Sequence, residues 1–124
     1  MEKIIEALVS TGKWGEDDVK VGIRAGFKCE YCDKDLLASV DNYKEWQKDH
    51  IIPTSKGGED INENIALSCK TCNMNIKSRW NPADVAGENA SRQELIKAVR
   101  EFVREKRTVM LNDICTFRAI AFSK

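Results

Sequence analysis

The chain has 124 residues, of which 42% are hydrophobic and 32% charged, with 2 prolines, a composition that excludes a disordered or fibrous polypeptide. That length accommodates one hydrophobic core, so one domain over residues 1–124 is expected. No apolar run approaches the roughly 20 residues of a bilayer span, and the N-terminal stretch MEKIIEALVS is too acidic, with too short an apolar part, for a secretory signal. A cytoplasmic protein without a membrane partner is therefore expected. The formal charge of zero is unevenly spread: residues 1–66 carry 9 basic and 14 acidic side chains, residues 67–90 carry 3 and 2, and residues 91–124 carry 8 and 4. The basic third, with Arg92, Lys97, Arg100, Arg104, Lys106 and Arg107, answers either to the wet face of a helix or to a surface for an anionic polymer.

In chain order, Ile4, Ile5, Leu8 and Val9 recur at helical spacing, and Val19, Ile23 and Phe27 lie four apart, which predicts two short helices before residue 28. Residues 33–48 give a mixed signal. The Ile51–Ile52 run reads as a strand stopped by Pro53, and Gly57–Gly58 with the polar residues through Asn64 read as a long loop. A second short strand is expected at Ile65-Ala66-Leu67. A short helix is expected from Met74 to Trp80, then a start at Asn81-Pro82 with proline in the first helical position. Ser91 with Glu94 forms a capping box ahead of Leu95, Ile96, Val99, Phe102 and Val103 on one face. Met110, Leu111, Ile114, Phe117 and Ala121 continue at a similar period and predict a C-terminal helix.

Four of the five cysteines fall in two pairs, Cys29-Glu-Tyr-Cys32 and Cys69-Lys-Thr-Cys72, with 36 residues between them. Two residues between thiolates let a tight turn present both sulfurs to one ion, and two such turns complete the tetrahedral shell of Zn²⁺. Disulfide pairing is the rival, but Cys115 leaves an odd count and no secretory signal accompanies it. A shell of four cysteines leaves no open coordination position, so its zinc is structural and any catalysis needs a second ion. Such a staple joins the end of the N-terminal region to the segment after Leu67 and contributes on the order of several kcal/mol. Cys115, between Ile114 and Phe117, reads as a buried apolar residue.

From Asp49 to Asn73 the sequence is DHIIPTSKGGEDINENIALSCKTCN. An Asp-His pair precedes an apolar pair and proline. A glycine pair lies in a polar loop, an asparagine precedes a short apolar strand, and asparagine follows Cys-x-x-Cys directly. In these elements and their order the chain resembles the HNH endonucleases, the ββα-metal or His-Me finger family, in its four-cysteine branch. The resemblance runs from about Cys29 to Lys77. It implies an α+β fold with a small ββα-metal core, a β-hairpin plus helix stapled by the zinc site, over residues 29–80, with helical flanks at 1–28 and 81–124.

It also implies chemistry. Phosphodiester hydrolysis needs a base for water, a cation to offset charge on the phosphate, and something to hold the base. His50, the only histidine, fits the base, because a neutral imidazole can accept a proton from water at working pH, and cleavage should rise with pH as the imidazole loses its own proton and then level off. Asp49 and Asn73 fit a divalent ion, and oxygen ligands suit Mg²⁺ or Mn²⁺. Adjacent strand residues point to opposite faces, so Asp49 and His50 act on one phosphate only from either side of it or across a bend. Asn64 corresponds to the middle residue of the motif and orients the loop and the histidine; Asn62 is its near neighbour. Many relatives have a basic residue three after the Asn or His, whereas Lys77 stands four after Asn73, so Lys77, Arg79 and Lys70 are all candidate phosphate contacts. The resulting expectation is a DNA endonuclease, a monomer or homodimer, leaving 5′-phosphate and 3′-hydroxyl ends. The competing reading is a non-catalytic zinc module that binds nucleic acid or protein.

Overall fold

The computed structural model describes residues 1–124. Helices α1 (Glu2–Ser10) and α2 (Glu16–Ala25) come first, and α2 ends on Gly26 in the left-handed conformation. Phe27, also at positive φ, is turned off the helix to join Trp14, Tyr43 and Trp46 in an aromatic cluster. Gly22 makes room for that cluster, since a Cβ there would lie 2.5 Å from the Phe27 ring. The stretch with a mixed signal holds α3 (Val40–Lys44), capped by the Ser39 hydroxyl, and strand β1 (Trp46–His50). After two 3₁₀ turns, at Thr54–Lys56 and Asn62–Asn64, strand β2 (Ile65–Cys69) pairs antiparallel with β1, with Asp49 opposite Ala66 and His50 opposite Ile65.

The first strand ends at His50 rather than at Ile52. The amide of Ile51 still donates in register to the Asn64 carbonyl, but the amide and carbonyl of Ile52 are both taken by the Asn64 side chain, so the strand goes no further. Thr71–Lys77 is wound as a π-helix, closed by the i→i+5 bond from the Ser78 amide to the Asn73 carbonyl, and it ends three residues before Trp80. A short α4 (Ala83–Ala86) follows Pro82.

One helix, α5 (Arg92–Ala121), replaces the two expected in the C-terminal third. No glycine or proline interrupts its 30 residues, so nothing stops it, and at 1.5 Å per residue it is about 45 Å long. Its capping box forms as the sequence predicts: the Ser91 hydroxyl accepts from the Glu94 amide and the Glu94 carboxylate accepts from the Ser91 amide.

The core contains Val21, Leu36, Ile51, Leu67, Leu95, Val99 and Val103 together with Cys29, Cys69 and Cys72. Only the N-terminal part of α5, through Val103, packs into it; beyond Val103 every residue of the helix except Arg107 is exposed. Cys115 lies on this overhanging part and is exposed, because the body it was expected to pack against ends some turns earlier. The basic face of α5 is also divided. Arg92 turns inward to Glu30 and the Ile65 carbonyl, and Arg100 grips Asp33 through both nitrogens, leaving Lys97, Arg104 and Lys106 outward. No helix is long and apolar enough to cross a membrane.

Candidate functional site

The two Cys-x-x-Cys turns converge. The sulfurs of Cys29, Cys32, Cys69 and Cys72 all lie within 4.8 Å of one another, and Cys32 and Cys69 are 3.8 Å apart, the spacing that a tetrahedral shell of zinc–sulfur bonds of about 2.3 Å requires. Within each turn a backbone N–H donates to the leading sulfur: Tyr31 to Cys29 and Cys72 to Cys69, both at 3.4 Å. The thiols share protons unequally. Contact with Cys29 and then with Cys69 and Cys72 holds Cys32 far below the usual thiol range, while the same crowding raises Cys69 and Cys72. The four residues could form a zinc site, and binding the ion requires the remaining protons to leave. Arg107 of α5 lies against this cluster with Nη2 3.2 Å from Cys72, 3.6 Å from Cys69 and 3.7 Å from Cys32. A guanidinium there offsets thiolate charge and ties the long helix to the cysteines.

The hairpin between the two turns carries the Asp-His pair at the end of β1. The strand sets their directions apart, as its twofold alternation dictates. Asp49 is buried, and His50 is about one third exposed. The Asp49 Oδ2 accepts from the Tyr31 hydroxyl at 2.7 Å and forms an ion pair with the Lys77 ammonium at 3.0 Å, while Oδ1 has no protein partner. Burial and the neighbouring Asp49 charge raise the Tyr31 phenol well above its ordinary value, so it serves as a donor. On the other side of the strand the His50 Nε2 is 3.0 Å from Oδ1 of Asp60, in the loop after the glycine pair.

That loop is pinned by Asn64, which is buried. Its Oδ1 accepts from the Ile52 amide at 2.8 Å, its Nδ2 donates to the carbonyls of Ile52 and Glu59, and its own carbonyl accepts from Ile51. Gly58 lets the two ends of the loop meet, since a Cβ there would lie 1.8 Å from the Ile52 carbonyl oxygen. Asn62, the near neighbour in sequence, is exposed and uses only its backbone carbonyl, on Arg24.

The helix after the last cysteine is positioned from below by Glu45. Its carboxylate accepts from the amide and hydroxyl of Thr71, its carbonyl accepts from the Lys70 amide, and Lys34 pairs with its other oxygen. The hydrogen bond from Lys34, against the opposing effect of burial, holds Glu45 below the usual carboxylate range. Asn73, third in this helix, donates from Nδ2 to Gln47 at 2.8 Å, and its Oδ1 has no protein partner. Gln47 and Asp49 share one face of β1, so Asn73 and Asp49 belong to the same side of the hairpin. Lys77 lies under that side with its ammonium buried, whereas Lys70 and Arg79 are exposed.

The sequence reading missed Tyr31, Glu45, Asp60 and Arg107. Tyr31 was in view as a spacer between two cysteines, and its partner is 18 residues away, so no local pattern marks it. Glu45 and Arg107 act on residues 26 and at least 35 positions away, and Asp60 was one polar residue among several in a loop.

No curated protein matches the chain as a relative. Residues 29–79, somewhat under half of the chain, match the family model described as HNH endonuclease, and the match spans the cysteine-closed hairpin with its following helix.

Proposed function

We propose that the chain is a metal-dependent DNA endonuclease in which His50 is the general base, Asp49 and Asn73 hold a divalent cation, and the four cysteines hold a structural Zn²⁺. The observation that carries this reading is the state of the oxygens. Asp49 and Asn73 each have one polar atom tied to the protein and one oxygen left without a protein donor, on the same side of the hairpin. Two such hard oxygens suit Mg²⁺ or Mn²⁺, with water and phosphate oxygens completing the shell. A bound ion supplies charge to offset that developing on the phosphate and the leaving oxygen.

The protein's part is to hold and move one proton. With Nε2–H donated to Asp60, the Nδ1 lone pair of His50 accepts a proton from water, and the water oxygen attacks phosphorus. The bond from phosphorus to the 3′ oxygen breaks, that oxygen takes a proton from solvent, and the ends are 5′-phosphate and 3′-hydroxyl. Asn64 keeps the loop carrying Asp60 folded back on Ile52. Lys70 and Arg79, the exposed cations beside the Asn73 helix, are the phosphate contacts, and residues 1–28 and 81–124 flank the catalytic core within one domain.

Supercoiled plasmid incubated with the zinc-loaded protein should be nicked or linearised in Mg²⁺ or Mn²⁺ and left intact in EDTA, with 5′-phosphate on the new ends. Retention of the plasmid in a gel without cleavage in any of these ions would favour the zinc binding module instead.

A further inference from the structure

Lys77 is the buried charge that this mechanism does not use. Its side chain has no exposed area, and its ammonium lies 3.0 Å from Asp49 Oδ2 and 3.2 Å from the His50 carbonyl oxygen. An ammonium is tolerated in such a place only with an anion beside it, and Asp49 is that anion. The winding of the helix puts it there. Lys77 stands four residues after Asn73, and a π-turn absorbs one residue more than an α-turn, so Lys77 is carried round to the hairpin side rather than past it.

The pairing has a consequence for charge. The two oxygen ligands offered to a cation come from one carboxylate and one neutral amide, and the carboxylate is already matched by Lys77. Gln47, behind Asn73, is neutral, and the acid on the other side of the strand, Asp60, faces His50. Affinity of a hard cation site follows its ligand charge, and here the one charged ligand is offset by the ammonium paired with it.

We propose that Lys77 is an internal counter-charge that keeps the Asp49–Asn73 site from retaining a divalent cation by itself, so that the cation binds together with a phosphodiester, whose negative charge completes the site. This rests on the nuclease reading. Reciprocity then requires the cation to tighten DNA binding by the same factor that DNA tightens cation binding. An ion that comes and goes with substrate also leaves the Lys77–Asp49 pair to hold the carboxylate in place between encounters.

The test is Mn²⁺ binding, followed through the spectroscopic signal of free Mn²⁺, to the zinc-loaded full chain carrying His50→Ala so that added DNA survives. The parent should bind Mn²⁺ weakly and gain at least about tenfold in affinity when a short duplex is added. Lys77→Met and Lys77→Gln should each raise the affinity without DNA by at least about tenfold and shrink the gain from DNA, because a positive charge beside the ion has been removed. Folded variants that bind Mn²⁺ no better than the parent, or a parent indifferent to DNA, would overturn the proposal; if neither variant folds, the parent comparison decides alone. Asp49→Ala separates this from the underlying reading. Binding lost in Asp49→Ala but unchanged in Lys77→Met overturns the role of the lysine alone, whereas binding unchanged in Asp49→Ala removes the ion site and the nuclease mechanism with it.

Discussion

Asn64 shows how one side chain can do the work of a strand. By taking both polar groups of Ile52 it ends the hairpin ladder at His50 and folds the following loop back toward the histidine. Replacing it with alanine leaves the half-buried amide and carbonyl of Ile52 without their protein partner, at about 1 to 3 kcal/mol. The expected outcome in urea denaturation is a loss of that size, with cleavage reduced further than Asn62→Ala reduces it, because Asn62 is exposed and contributes only its carbonyl. Equal effects of the two substitutions would contradict the assignment of the motif asparagine to Asn64. The choice between them was legible in the sequence, since only Asn64 directly precedes the apolar strand. The geometry by which it acts was not, because it depends on the loop closing at Gly58.

At the scale of elements, the same divide follows sequence distance. The capping box of α5, the two cysteine turns and β2 rest on neighbours within a few residues and are legible as patterns. The helix after Cys72 is not. Its start depends on Glu45, 26 residues earlier, and its π winding shows only as the displaced spacing from Asn73 to Lys77. Glu45→Gln keeps an acceptor for Thr71 and removes the charge paired with Lys34, so it should destabilise the protein by about 1 kcal/mol at neutral pH. Because the hydrogen bond from Lys34 lowers the Glu45 pKa in the folded state, that contribution is present above the ordinary glutamate value of about 4.3 and is lost as pH falls through the lowered one. Urea denaturation of both proteins should therefore show a gap at neutral pH that closes in acid. A gap that widened in acid would reverse the sign of the argument.

For the whole molecule, the cysteine cluster is where the N-terminal turn, the hairpin, the π-helix and α5 meet, the last through Arg107. The overhanging end of α5 lies outside that arrangement, so ending the chain after Thr108 should change stability by less than about 0.5 kcal/mol and leave zinc content at one ion per chain. A large loss of either would show that the exposed apolar face of that segment is covered in solution. The expectation that Cys115 is buried failed for the same reason: periodicity tells which face of a helix is apolar and not how far along it the body extends. The central claim is that a single imidazole, His50, performs the base chemistry on a scaffold that zinc holds without it. Its most direct test is plasmid cleavage in Mg²⁺ by wild type and His50→Ala, with zinc content and thermal unfolding measured on the same samples. Cleavage abolished with zinc and unfolding unchanged is the predicted result. Cleavage retained by a folded, zinc-loaded His50→Ala protein would contradict it.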